Sequence, residues 1–216
     1  MSISLIEHAW IDLSTAPHAP CAITHLSDAD APRWSGVLDL GPGAAHTLDA
    51  GLRHDLFVLQ GEVMADGQRL ATGDFLTRCR DTVVRAGEGG ARVLLYRQAC
   101  DALCQLLLRT STGRVWHGGV NPRMRIAPLA GGRHHVSLVA WQPQARTRAH
   151  AHPSGEEMFV LSGVLRDGER HHPAGTWLRL HPGAEHAPFA DEPAVILLRH
   201  GHLPDAKDPA GPANQA

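Results

Sequence analysis

The sequence has little charge imbalance. Its 20 Lys and Arg against 22 Asp and Glu leave a net charge of −2 at pH 7 with histidine neutral. The arginines fall singly rather than in a stripe, so the basic footprint of a nucleic-acid binder is missing. No apolar run comes near the ~18 residues that a membrane span needs. The opening, Met1-Ser-Ile-Ser-Leu-Ile-Glu-His-Ala-Trp10, lacks the basic start and apolar stretch of a secretory signal. Neither nucleic acid nor a membrane is therefore expected as a partner, and the expected compartment is the cytoplasm. Cysteine is scarce, and Cys21, Cys79, Cys100 and Cys104 show no zinc-ribbon spacing. They read as small buried side chains in a reducing compartment, with Cys100 and Cys104 side by side if that segment is helical. There is no Ser-His-Asp arrangement and no dedicated nucleophile. What is plentiful is turn formers and histidine: Gly 22, Pro 15 and His 16 in 216 residues that are 43% hydrophobic. That composition predicts a packed core cut by many turns, in one large or two small domains.

The chain repeats itself. Asp55-Leu-Phe-Val-Leu-Gln-Gly61 stands beside Glu157-Met-Phe-Val-Leu-Ser-Gly163, and Asp66-Gly67 beside Asp167-Gly168. Further on, Gly73-Asp-Phe-Leu76 matches Gly175-Thr-Trp-Leu178, and Val93-Leu-Leu-Tyr-Arg97 matches Val195-Ile-Leu-Leu-Arg199. The offset stays at 101 to 102 residues throughout, so two copies of one domain are predicted. Within each copy, short runs of Val, Leu, Ile, Phe and Trp alternate with Gly, Pro and Asp turns, the pattern of a β-sandwich or barrel. Phe57-Val-Leu59 and Phe159-Val-Leu161 are apolar on both faces. Such strands must be covered outside the barrel as well as inside, by the other domain or by another subunit. A homodimer is the expected assembly. Between the copies, residues 101–115 form a linker in which Asp101 to Arg109 is a short helix or a strand, since periodicity over so few residues does not decide. The tail from Pro204 to Ala216, with few apolar residues, is expected to be disordered.

The chemistry concentrates in His150-Ala-His152-Pro-Ser-Gly-Glu156-Glu157, with His186 following 34 residues after His152. Histidines at i and i+2 on a strand share a face. Pro153-Ser-Gly155 can then turn the chain so that a carboxylate opens the next strand beside them. A third imidazole from a distant turn would complete a shell of three nitrogens and one oxygen, suited to zinc, iron, manganese, nickel or copper. Adjacent strand residues face opposite ways, so only one of Glu156 and Glu157 can reach such an ion.

His-x-His, three residues, Glu156, six residues and Gly163 together resemble the first cupin motif, and Gly175-Thr-Trp-Leu-Arg-Leu-His181-Pro-Gly183-Ala-Glu-His186 resembles the second. More narrowly, residues 116–203 are similar to the ChrR-type cupin domain, known from anti-sigma factors of the photooxidative stress response and from some dioxygenases. The resemblance implies an all-β chain of two tandem jelly-roll barrels. Residues 1–100 would be a degenerate first cupin, and residues 116–203 a metal-binding second one. It places the ligands on His150, His152, Glu156 and His186, with spacing to Gly163 favouring Glu156 over Glu157. The implied cofactor is one divalent metal ion, zinc or iron first, then manganese or nickel. Three functions follow: a sensor in which metal and a small ligand or oxidant alter a partner interaction, an Fe(II) dioxygenase acting on a diketone or hydroxyketone, or a barrel merely stapled by its ion. Sigma-factor binding is not expected, because the N-terminal helical zinc domain with His-x-x-x-Cys-x-x-Cys is replaced here by the first cupin.

Alignment on Gly61 and Gly163 leaves the first copy short of ligands. His54 stands where Glu156 does, His46 remains upstream, Leu48 replaces a second histidine, and the register of His186 falls on Val84. The first barrel is therefore expected to be a metal-free packing partner. His134, His135, His171, His172, His181, His200 and His202 read as solvated or hydrogen-bonded imidazoles at strand ends and turns. His181, before the Pro-Gly turn, is the one placed to serve as an acid–base group at the mouth. Trp177 and Phe189 read as core or pocket wall.

Overall fold

The computed structural model describes residues 6–17, 20–100, 104, 106–132 and 135–203. Every regular element among them is a strand. The chain divides into two compact units, one built from residues 14–114 and the other from residues 115 onward together with the first thirteen. Residues 6–13 thus fall with the second unit, whereas the expected boundaries gave them to the first domain. Ile6–Trp10 pairs antiparallel with Thr176–Leu180 (Ile6 opposite Leu180, Trp10 opposite Thr176). The Trp10 indole donates to Ala174 O at 3.1 Å, and Ile6 packs on the core of the C-terminal barrel.

In the C-terminal unit, seven antiparallel strands run in the order Ile6–Trp10, Thr176–Leu180, Glu156–Ser162, Ala194–His200, His135–Trp141, Met124–Ala130, His117–Gly118. A second sheet orders Ala145–Arg146, Pro188–Ala190, Val164–Asp167 and Arg170–Pro173, and a two-stranded ladder joins His150–Ala151 to Glu185–His186. Between the sheets lies an apolar cluster that includes Trp141, Met158, Val160, Leu165, Leu178, Leu180 and Ile196. Period-two alternation places Met158 and Val160 in this interior. Phe159 points the other way and is also fully buried, as expected for a strand apolar on both faces.

The N-terminal unit repeats this plan in one sheet, because its strands run on where the second copy's break. Leu52–Ala65 and Thr82–Ala99 pair along most of their length, with register shifts at Val58/Gln60 and Gly61/Val63. The C-terminal copy shifts at Val160/Ser162, the equivalent point. Gly61 and Gly163 explain why the bulge is kept. Both have left-handed φ (74° and 73°), and a Cβ on either would lie 2.2 Å from a carbonyl oxygen, of Gly90 or of Pro193. Only glycine fits there. In the linker, Leu107–Arg109 is a strand paired with Phe75–Arg78. Residues 101–103 and 105, and the tail 204–216, lie outside the described residues.

The cysteines also depart from expectation. Cys79 and Cys104 are joined in a disulfide with Cα atoms 6.5 Å apart, inside the range such bridges require. Cys21 is exposed, and Cys100 is half-buried. The bridge lies where the strand Phe75–Arg78 ends beside the returning linker, a proximity that depends on the linker pairing as a strand.

Candidate metal centre

His150 and His186 face each other across the short ladder, as a directly opposed pair, while the turn at Pro153-Ser-Gly155 swings the chain into the strand that Glu156 opens. Gly155 carries φ 60° in this turn. One ring nitrogen of each of His150, His152 and His186 falls in a set whose members all lie within 4.8 Å of one another. His150 Nε2 is 3.1 Å from His186 Nε2. Glu156 lies beside this set, with Oε2 at 2.8 Å from His152 Nε2 and Oε1 at 3.5 Å from His186 Nε2. Glu156 and His186 are buried, at 3% and 5% exposure, while His150 and His152 are half-buried at the rim.

These spacings suit a shared cation. Bonds of about 2.0–2.2 Å at tetrahedral or octahedral angles separate neighbouring donors by roughly 2.9–3.4 Å. A backbone contact sets the tautomer of His150. His150 Nδ1 lies 2.9 Å from Arg148 O; a carbonyl only accepts, so Nδ1 carries the proton and Nε2 keeps its lone pair. His152 Nε2, though close to Glu156, is buried without a properly directed hydrogen bond, as is His186 Nδ1. The neighbouring Glu156 carboxylate raises the His152 pKa against the opposing effect of burial. Burial lowers that of His186, only partly offset by Glu156.

Glu157 points to the opposite face and is fully buried. Arg179 Nε donates to Glu157 Oε1 at 2.6 Å, His202 Nε2 lies 3.2 Å from the same oxygen, and Arg199 Nη1 is 3.9 Å from Oε2. Burial alone would raise the Glu157 pKa, but His202, Arg179 and Arg199 outweigh it and hold the carboxyl below the ordinary carboxylate range. Glu157 is thus an internal ion-pair anchor, and His202, expected to be solvated or simply hydrogen-bonded, is part of that anchor and 1% exposed.

His200, expected from the sequence to be a solvated or hydrogen-bonded imidazole, adjoins the candidate site. It stands opposite Glu156 on the neighbouring strand, its ring 5.8 Å from that of His152 and stacked on His135 at 4.9 Å. Burial and the adjacent His135 lower its pKa. Its signal was period two along Ala194–His200, which becomes readable only once the pairing with Glu156 is known. His181 contacts Glu7 of the added N-terminal strand instead of standing alone at the mouth. His134 lies outside the described residues. Trp177 is fully buried on the outer face, with Arg179 over its ring at 5.2 Å. Phe189 lies under Arg166 at 4.8 Å.

The first barrel has the same frame with different contents. His46 opposes Val84, as His150 opposes His186. Leu48 and Val84, at the positions of His152 and His186, are buried in its apolar cluster. His54, in the place of Glu156, is 3% exposed, and burial pushes its pKa down to about 4. Asp55, the counterpart of Glu157, is held by Arg53 Nε at 3.1 Å and by the Thr77 hydroxyl at 2.7 Å.

Residues 114–204 match the ChrR cupin-like domain. No curated protein matches. Among solved structures the chain is similar to a proposed dioxygenase from Nostoc punctiforme PCC 73102, at 13% identity over 89% of this chain and 82% of that one, with a TM-score of 0.73. It is similar to a proposed glyoxylate-induced protein from Pseudomonas aeruginosa, at 16% identity over 89% and 88%, with a TM-score of 0.71. A third neighbour is the oxalate decarboxylase of Bacillus subtilis, a protein with Mn(II) centres, at 14% identity over 78% and 68%, with a TM-score of 0.56. These likenesses show the fold, two cupin jelly-roll barrels in one chain.

Proposed function

We propose that this chain, with a ChrR cupin-like domain at residues 114–204, binds one divalent metal ion through His150, His152, Glu156 and His186 and uses it to sense a small ligand or oxidant. The observation that carries the reading is the convergence of three imidazoles, one nitrogen of each within 4.8 Å of the others, with the Glu156 carboxylate beside His152 and His186. Zinc or iron suits three nitrogens and one oxygen best, with manganese and nickel as further candidates. The half-buried rim at His150 and His152 gives access from solvent. The cavity against His186, lined by Asp167, Arg170 and His172, holds only about 10 Å³, room for little more than a water. The response would pass to a partner through the strands that carry the ligands. A sigma factor is not the partner we propose.

Elemental analysis of untagged protein tests the core of this reading. About one metal per chain is expected in the wild type, and the His152→Ala and His186→Ala variants should lose it while staying folded. Full metal content in both variants sinks the assignment. A second reading, an Fe(II) dioxygenase, rests on the positions that four protein ligands leave open at an accessible rim. Bound iron would there supply a redox centre and a template for substrate oxygens. Dioxygen uptake with a β-diketone or a hydroxyacetophenone after anaerobic Fe(II) loading favours the enzyme; tight metal silent towards oxygen favours the sensor.

A further inference from the structure

The second chemical cluster of the molecule lies in the other barrel. Cys79, Cys100 and Cys104 bring their three sulfurs within 4.8 Å of one another, all half-buried. Three separate segments converge there. Cys79 follows the strand Phe75–Arg78, which pairs with one side of Leu52–Ala65 through Arg78 and His54. Cys100 follows Thr82–Ala99, which pairs with the other side through Ala99 and Leu52, and its N–H reaches Gly51 O at 3.3 Å. Cys104 precedes Leu107–Arg109, whose Leu107 opposes Thr77. The returning strand therefore brings Cys104 to Cys79, with Cys100 at the same end of the sheet.

We propose that these residues form a thiol–disulfide exchange site that reacts with low-molecular-weight disulfides and thiols, independently of the metal centre. Two features support it. The bridge present is Cys79–Cys104, and the Cys100 sulfur lies close to both of its atoms, as an attacking thiolate must. Partial exposure of all three lets a small reagent in, whereas a fully buried bridge would be inert. In the oxidising direction a protein thiolate attacks a small disulfide R–S–S–R, forming a mixed disulfide and releasing one RS⁻. A second cysteine thiolate then displaces the other RS⁻. Two protein thiols become one bridge, and the small disulfide is reduced to two thiols. In the bridged state the Cys100 thiolate attacks the Cys79 or Cys104 sulfur, moves the bridge to itself, and expels the other cysteine as thiolate with no net redox change. Shifting or opening the bridge releases the tie that Cys104 places on the segment leading out of the first barrel.

The test is a peptide map of the full chain. Reduced protein is oxidised with glutathione disulfide, acid-quenched, alkylated at its remaining thiols and digested without reductant. The expected result is one intramolecular bridge per chain, distributed between Cys79–Cys104 and pairs that contain Cys100. Cys104→Ser should form Cys79–Cys100 instead. Cys100→Ser should keep Cys79–Cys104 but slow its opening by a small thiol several-fold, and metal content should be unchanged in either variant. The proposal is overturned by three alkylated thiols after oxidation. It is equally overturned by a bridge confined to Cys79–Cys104 whose opening ignores Cys100→Ser. Stoichiometric Cd(II) uptake by the reduced cluster, with resistance to glutathione disulfide, would replace it with a thiolate metal site. Should a variant misfold, the wild-type map still decides: three alkylated thiols overturn the proposal, and a bridge shared with Cys100 supports it.

Discussion

At the scale of single residues, the two adjacent glutamates divide the work of the C-terminal barrel between chemistry and cohesion. Glu156 faces His152 and His186, whereas Glu157 is clamped by Arg179 and His202 on the far face. Glu156→Gln should weaken metal binding more than the ~10–100-fold typical of losing an outer-shell partner, with little change in apo-protein stability, read by metal titration and urea unfolding. Glu157→Gln leaves buried arginine charge without its counter-ion, so it should cost about 3–5 kcal/mol of stability while the folded fraction still takes up metal. Equal effects of the two substitutions on metal affinity would remove the distinction. His54 gives a pH signature of its own. Unfolded, it takes a proton near pH 6.5; folded, not until about 4. The unfolded state therefore holds more protons between those values. The stability owed to a neutral His54 is complete above pH 6.5, declines as pH falls, and levels off below about 4. Its depth is on the order of 2–3 kcal/mol. The His54→Gln variant should lose that component of the wild-type pH slope, measured by urea unfolding from pH 7.5 to 4.5. These residues differ in how far the sequence exposed them. Period two told that Glu156 and Glu157 diverge, and the resemblance to the cupin motif favoured Glu156 as the ligand. The roles of His200 and His202 depended on strand pairings that no local pattern states.

At the scale of elements, a stretch that the sequence reading gave to the first domain builds the second barrel instead. Ile6–Trp10 has no counterpart in the internal repeat, so self-similarity could not place it, and its position near Met1 drew it into the first domain. It instead covers the edge of Thr176–Leu180, whose Leu180 lies beside Glu156 on the next strand. Removing residues 1–11 uncovers that edge and takes away the contacts of Ile6 with the core and of Glu7 with His181. The truncated protein should melt several degrees lower and bind metal more weakly, a result that thermal unfolding with and without metal would show. An unchanged melting temperature would mean the strand adds nothing to the barrel. The bulges were more legible than this edge. Gly61 and Gly163 stood out as the fixed points of the repeat, and the structure gives the steric reason, a carbonyl 2.2 Å from any added Cβ. Alanine at either position combines left-handed strain with a backbone clash and should cost more than about 1 kcal/mol. The linker resisted reading because a three-residue strand, Leu107–Arg109, shows no period, and its pairing also brings Cys104 to Cys79. Four scattered cysteines gave no warning of that meeting.

At the scale of the whole molecule, one frame appears twice with opposite fillings. The paired bulges, the left-handed glycines and the buried carboxylates Asp55 and Glu157 recur in both barrels. The inner positions diverge: His150, His152, Glu156 and His186 in one, His46, Leu48, His54 and Val84 in the other. Leu48 and Val84 are buried among apolar side chains, so the first barrel fills with packing the space that the second keeps for donors. This asymmetry was visible in the sequence because the repeat supplied its own alignment. It predicts where a bound ion acts. Anything that binds the native state alone stabilises it by RT ln(1 + [L]/Kd), about 2.7 kcal/mol at a hundredfold excess over Kd. That stabilisation can reach only amides whose opening breaks the site. Hydrogen exchange with saturating metal against chelated protein should therefore slow in His150–Ala151, Glu156–Ser162, Glu185–His186 and Ala194–His200. Ile6–Trp10 should slow with them, since it is built onto the same sheet. The strands Leu52–Ala65 and Thr82–Ala99 should exchange at unchanged rates. Protection centred instead on His46 and His54 would move the metal site to the first barrel and reverse the assignment of the two halves.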